Sequence, residues 1–181
     1  MKPLFDFFDK HYEYRMFRRS LIQLIGKNDL IGCEIGVQTG KNALKILETL
    51  DIKKLYLVDP YLQYNGFEGD KQMLHNKLKQ EAHKRLEHFD NRIVWIEKDS
   101  TDIKTLNDIK EPLDFVYIDG NHSYEWVKKD ISNWYDKIKI GGLISGHDIN
   151  HPDVFRALSE FTVSNDIKEV YIKRKDWWFI K

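Results

Sequence analysis

Leu30-Ile31-Gly32-Cys33-Glu34-Ile35-Gly36-Val37-Gln38-Thr39-Gly40 is the stretch on which the fold turns. Its apolar opening predicts a strand over about 30–36, its two glycines predict a tight turn, and the periodicity beyond it predicts a helix over about 41–50. The same alternation recurs downstream. Strands are expected at about 54–59, 92–97, 114–118 and 140–146, with helices at about 71–89, 102–109 and 123–137. The last of these helices carries Trp126, Ile131, Trp134 and Ile138 at near-helical spacing. Strands and helices in strict alternation imply βαβ units, hence an α/β fold with a mostly parallel sheet covered by helices on both faces.

The two ends add to this frame. An amphipathic helix over about 3–25, with Phe8, Tyr12, Leu21 and Ile25 among its apolar positions, is expected as an N-terminal extension over 1–27. Pro152 suits the first position of a helix reaching about Phe161, where its missing N–H costs nothing. Two strands, over 167–172 and 176–180, then form an antiparallel hairpin through Lys173-Arg174-Lys175. In that last strand the alternation of faces predicts one of Trp177 and Trp178 buried and the other exposed, and both are candidates for a homodimer contact. No repeat or linker interrupts the 181 residues, so one domain over 1–181 is expected. Tyr61–Asp70 fits neither period and reads as a loop over the active end.

Charge is balanced, 29 basic residues against 29 acidic, which gives no overall attraction to nucleic acid or to an anionic membrane and favours a small-molecule partner. A single cysteine, Cys33, excludes an internal disulfide and is expected as a small buried hydrophobe in the first strand. No run approaches the roughly 18 consecutive apolar residues of a membrane span, and the charged N-terminus does not read as a signal peptide, so a cytoplasmic location is expected.

In open α/β sheets ligands bind beyond the carboxyl ends of the strands, where strand order reverses. Glu34, Gly36 and Gly40 stand at the first such end, before a helix N-terminus that suits an anionic group. The G-x-x-x-G spacing lacks the third glycine of a dinucleotide fingerprint and disfavours a nicotinamide cofactor. Asp59 closes the second strand, 19 residues after Gly40, where a carboxylate can accept from both hydroxyls of a ribose; the other reading is a solvated turn before Pro60. Asp99 and Ser100 follow the third strand within reach of an adenine amino group, or else cap the next helix. The fourth strand ends in Asp119-Gly120-Asn121-His122-Ser123-Tyr124, and the fifth in Gly146-His147-Asp148. Two carboxylates and two histidines at adjacent strand ends are more titratable chemistry than turns require. His11, His75, His83, His88 and His151 are read as surface or packing residues.

With these residues in place, the chain from about residue 30 onward resembles the class I S-adenosylmethionine (SAM)-dependent methyltransferases. Glu34 through Gly40 look like that family's first motif, Asp59 like its ribose-binding acid and Asp99 like its adenine-side acid. The resemblance implies a Rossmann-like sheet of seven strands whose last strand is antiparallel, with SAM contacting Glu34, Gly36, Gly40, Asp59, Asp99, Ser100 and Asp119. The run from Asp119 to Tyr124, the Trp-bearing helix and His147-Asp148 resemble the small O-methyltransferases of the catechol, macrocin and cephalosporin-tailoring type. In several of those, acids at these ends hold a divalent metal that chelates the acceptor hydroxyl. Asp119 and Asp148 match, whereas His147 stands where a carboxylate or carboxamide is usual. Asp119, His147 and Asp148 are thus the expected ligands, for Mg²⁺ if oxygen dominates, or Mn²⁺, Fe²⁺ or Zn²⁺ if the histidine takes part. Without metal, His147 or His122 is the expected general base, beside Asp119.

The expected activity is O-methylation of a small hydroxylated acceptor: a sugar, a phenol or a tailored metabolite. Two alternatives stand beside it, a SAM-binding accessory protein without turnover and a nucleic-acid methyltransferase using Lys168, Lys173, Arg174 and Lys175 against phosphates. A hydrolase built on His147 and Asp148 leaves the glycine loop and Asp59 without a task.

Overall fold

The computed structural model describes residues 18–62 and 72–181. Seven strands form one sheet in the order β3-β2-β1-β4-β5-β7-β6. They are β1 (Leu30–Ile35), β2 (Ile52–Val58), β3 (Ile93–Ile96), β4 (Leu113–Ile118), β5 (Ile138–Gly146), β6 (Tyr171–Lys173) and β7 (Asp176–Ile180). Five helices lie between them: α1 (Lys41–Thr49), α2 (Gln72–Leu86), α3 (Ile103–Leu106), α4 (Tyr124–Tyr135) and α5 (Pro152–Ser164). The pairs β1–β2, β1–β4, β2–β3 and β4–β5 are parallel, and β7 runs antiparallel to both β5 and β6. Parallel strands covered on both faces need near-continuous apolar runs. Those of β1, β2 and β4 are buried over at least their last four residues.

Two apolar clusters form, one on each face. Leu21, Ile22, Ile46, Leu55, Phe115, Tyr117 and Trp178 belong to one, and Cys33, Ile35, Val116, Ile131, Trp134, Trp177 and Phe179 to the other. The single cysteine is fully buried, as its sequence context implies. β7 departs from expectation. Trp177 and Trp178 are 1% and 2% exposed. Because β7 lies inside the sheet between β5 and β6, its two faces enter the two clusters, and neither tryptophan is left on the surface of the chain.

Three further expectations shift. Of the helix expected over 3–25, residues before Arg18 lie outside the described residues, and Arg19–Leu24 is a 3₁₀ helix. Arg19, Ser20, Leu21, Ile22 and Leu24 are all buried there, so this turn plugs into the core instead of laying one face on it. The strand expected over 167–172 is reduced to Tyr171–Lys173, because only these residues find partners on β7; Ile167 instead donates to the Thr162 carbonyl at 2.9 Å and closes α5. Trp126 stays partly exposed, and α4 buries Val127, Asp130, Ile131 and Trp134 instead. Of the loop expected over Tyr61–Asp70, only Tyr61 and Leu62 are described.

Asp130 is a charged residue in the core. Burial, with the nearby Asp99 charge, pushes its carboxyl up to about 7, against the opposing pull of Ser100. A carboxyl raised in the fold stays protonated there while its unfolded counterpart ionises, so the folded state loses stability as pH climbs from about 4 to about 7. Replacing Asp130 by Asn removes this loss. In urea denaturation, the stability of D130N relative to wild type is expected to increase between pH 5 and 8 and then level off; an advantage independent of pH contradicts the assignment.

Candidate active site

Strand order reverses between β1 and β4, and there the carboxyl ends of the two strands are pressed together. Asp119 donates its N–H to the Ile35 carbonyl at 2.8 Å, and Gly36 donates to Val58 at 2.9 Å. Gly36 has φ +84°, and a Cβ built on it would lie 2.1 Å from the Asp119 carbonyl oxygen. Gly40, at φ +73°, opens α1 with no side-chain cap, and a Cβ there would lie 3.1 Å from Leu86. Both glycines therefore answer first to the protein's own packing. The first-turn N–H groups of α1 remain without intrahelical acceptors, which suits an anion.

Asp59 holds the glycine loop in shape. Its Oδ2 accepts from Val37 N at 3.0 Å and Gln38 N at 2.9 Å, and its Oδ1 from Tyr61 N at 2.8 Å. Gln38 takes a left-handed φ of +50° within this arrangement. Burial raises the Asp59 carboxyl above its ordinary range, and the three N–H groups oppose that. His75, expected as a surface or packing residue, is buried.

Glu34 is 1% exposed. Its Oε1 accepts from Asn42 Nδ2 at 2.9 Å, its Oε2 has no hydrogen-bond partner among the described residues, and burial lifts the carboxyl to about 8. Asp99 and Ser100 part company. Asp99 is exposed and turns its Oδ1 back on Thr101, accepting from both N and Oγ1 at 2.8 Å. Ser100 is buried, and its carbonyl accepts from Trp134 Nε1 at 3.1 Å. Neither caps α3; Asp102 does, accepting from Lys104 N at 2.8 Å.

At the reaction end, Asp119, His122 and Asp148 bring one donor atom each to within 4.8 Å of the others, a spacing that one divalent ion can span. His122 Nε2 stands 3.5 Å from both Asp119 Oδ1 and Asp148 Oδ2. The Asp119 carboxylate beside it raises the His122 pKa, against burial and with help from Asp148. Burial works to raise Asp148, but His147, Lys175 and His122 together bring it below the usual carboxylate range. Asp148 takes φ +52°, a conformation that aspartate tolerates better than most residues. His122 completes this cluster with the two aspartates, and His147 Nδ1 borders it, 3.8 Å from Asp119 Oδ1 and 3.2 Å from Asp148 Oδ2. The other nitrogen of the His147 ring, Nε2, stands 3.9 Å from Asp176 Oδ1, and the His147 carbonyl accepts from Trp177 Nε1. His151, read as a packing residue, stacks obliquely against His122 with ring centroids 5.9 Å apart.

Sequence reasoning missed three participants. Arg18 Nη2 pairs with Asp119 Oδ2 at 3.0 Å, and buried Asp176 accepts from Tyr117 Oη at 3.2 Å. Lys175 meets Asp148 at 3.2 Å from the β6–β7 turn. None lies at a strand end whose order reverses, and a basic residue before a short turn carries no local signal of its aim. A cavity of about 280 Å³ on the far edge, lined by Asp166, Ile167, Lys168, Glu169, Tyr171 and Ile180, touches none of these groups.

With this geometry established, comparison with known proteins is direct. A sequence profile described as a methyltransferase domain matches residues 33–149, from β1 through the end of β5. The chain belongs to this methyltransferase family. The fold of its structure is that of the class I SAM-dependent methyltransferases. The O-methyltransferase NovP superposes with a TM-score of 0.62 at 20% identity, covering 90% of this chain and 75% of its own. MycE, a methyltransferase of mycinamycin biosynthesis solved with Mg, S-adenosylhomocysteine and mycinamycin VI, gives 0.57 at 15% identity, over 85% of this chain but only 45% of MycE. An rRNA methylase from Streptococcus thermophilus gives 0.58 at 14% identity, over 88% and 89%. Likeness at such identities establishes the fold alone. No curated protein sequence matches the chain.

The contact between Gly36 and Asp119 is open to a simple test. In this methyltransferase Gly36→Ala forces a left-handed φ on alanine and drives its Cβ into the Asp119 carbonyl, so a loss of at least about 2 kcal/mol in denaturant unfolding is expected. Unchanged stability contradicts the tight packing of the two strand ends.

Proposed function

We propose that this methyltransferase transfers the methyl group of SAM to a hydroxyl of a small-molecule acceptor, with a divalent cation held by Asp119, His122 and Asp148. The observation that carries the reading is the adjacency of two sites: the cluster of carboxylates and histidine begins at the residue whose carbonyl packs against Gly36 of the glycine loop. A methyl donor along the loop and an acceptor at the cluster would then share Asp119.

The crevice residues fit the cofactor. Glu34 offers a buried unpartnered oxygen, Gly36 and Gly40 allow the loop its turns, and α1 presents free N–H groups to an anion. Asp59 is the candidate for the ribose hydroxyls, and Asp99 with Ser100 for the adenine edge. When bound, SAM supplies an electrophilic methyl on a sulfonium. A divalent cation supplies Lewis acidity that lowers the pKa of a coordinated hydroxyl. The chain's own groups do the rest. Asp119 and Asp148 carry the negative charge that such a cation needs, His122 adds a nitrogen donor favouring Mn²⁺, Fe²⁺ or Zn²⁺ over Mg²⁺, and His147, oriented by Asp148 and Asp176, is placed to take the hydroxyl proton. Catalysis of this kind is mainly proximity and electrostatics.

The small-molecule reading is supported by the neighbours NovP, an O-methyltransferase, and MycE, solved with Mg. The nucleic-acid reading draws on the rRNA methylase but loses two of its four cations, since Lys168 pairs with Asp166 and Lys175 with Asp148.

Metal binding checks the assignment without an acceptor. Since its neighbours raise the His122 pKa, a cation must displace a proton that is retained above the ordinary histidine range. Mn²⁺ affinity measured by calorimetry should therefore climb with pH and level off once His122 is neutral, and Asp148→Ala should weaken it by about tenfold or more. Absence of Mn²⁺ binding removes the metal from the mechanism and leaves His147 as a metal-free base, whereas equal binding by His122→Ala removes His122 from the ligand set.

A further inference from the structure

Arg18 stands directly before the 3₁₀ helix and reaches across the crevice from outside the βαβ frame. Its side chain is 28% exposed and lies over the Tyr117 ring, 5.4 Å from the centroid. Its Nη2 donates to Asp119 Oδ2 at 3.0 Å, and its Nε to Asn42 Oδ1 at 3.3 Å. Nη1 makes no hydrogen bond among the described residues. The Asn42 amide is shared: its oxygen faces Arg18, and its nitrogen donates to Glu34 Oε1 at 2.9 Å. The other Glu34 oxygen is sealed from solvent with no hydrogen-bond partner among the described residues. One asparagine at the head of α1 thus separates a guanidinium with unused donors from a carboxyl with an unused acceptor.

That pair complements a zwitterion. An α-amino acid carries its carboxylate and ammonium on one carbon, so a receptor needs a cation and an anion a few ångströms apart. A guanidinium is well suited to the carboxylate because its planar fork matches two oxygens at once. Without such a cation, a carboxylate brought to this end would have only the N–H groups at the head of α1 to set against Glu34 and Asp119.

We propose that Arg18 binds the α-carboxylate of SAM while Glu34 receives the adjoining α-ammonium, and that in the empty crevice Arg18 is held in reserve by Asp119. The proposal rests on the reading that the crevice holds SAM, and it adds which residue recognises the cofactor's amino-acid end. It also couples the two halves of the site. Drawing Arg18 toward the cofactor weakens its hold on Asp119 and leaves that carboxylate available to the reaction end.

Two thioether ligands separate this from a structural role. S-adenosylhomocysteine carries the amino-acid end, and 5′-methylthioadenosine has the same nucleoside without it. By calorimetry, wild type should bind S-adenosylhomocysteine more tightly than methylthioadenosine. Arg18→Ala should weaken S-adenosylhomocysteine by about 10- to 100-fold while leaving methylthioadenosine within about threefold, and Arg18→Lys should recover part of the loss. Unchanged binding of S-adenosylhomocysteine by Arg18→Ala, or equal weakening of both ligands, overturns the role of Arg18 while the crevice reading stands. Failure of wild type to bind either ligand overturns the crevice reading, and this proposal with it.

Discussion

Everything at the active end depends on one missing methyl group. At Gly36 the backbone of β1 turns away from the sheet with its α-carbon against the Asp119 carbonyl, in space that any side chain would occupy. The contact is made by backbone on both sides, so it relaxes poorly, and it sets how far apart the glycine loop and the β4 terminus can stand. Asp59 then fixes the loop from the other flank through three backbone N–H groups. The glycine loop and the β4 terminus are consequently one rigid unit, built where the topology of the sheet changes direction.

Charge accumulates around that unit. Glu34, Asp59, Asp119, Asp148 and Asp176 all gather at the carboxyl ends of the strands, and burial pushes Glu34, Asp59 and Asp176 upward. Arg18, His122, His147 and Lys175 face them, each at ion-pair distance from Asp119 or Asp148. On the proposed function, an end that receives a cationic sulfonium gains from an excess of carboxylates, and the surrounding basic groups keep those carboxylates from destabilising the empty fold. At this end Glu34, buried with one oxygen lacking a hydrogen-bond partner among the described residues, is where the fold gives up stability.

Much of this was legible in the sequence because local signals and topology agree. The runs around Glu34–Gly40, Asp59 and Asp119 show strand, turn and acid within a few residues, and a parallel sheet brings successive strand ends to one edge. β7 was harder to read. Alternation predicts one exposed tryptophan, but insertion between β5 and β6 covers both faces, and insertion is decided by partners far away in the chain. The place of His122 in the acid cluster has the same origin: Asp148 lies far along the chain from it, and the Asp148 carboxylate, on a backbone with φ +52°, stands between His122 at 3.5 Å and His147 at 3.2 Å. Arg18 and Asp176 act across 101 and 59 residues of chain on Asp119 and Tyr117, separations at which no spacing rule operates.

The most direct test of the account is to titrate SAM into ¹⁵N-labelled protein and map the amide shifts onto the sheet. The account predicts saturable shifts concentrated at Gly36–Gly40, Asp59–Tyr61, Ser100–Thr101 and Asp119–His122, the residues that line one carboxyl edge. Absence of shifts, or shifts centred instead on the cavity at Asp166–Tyr171, would contradict it.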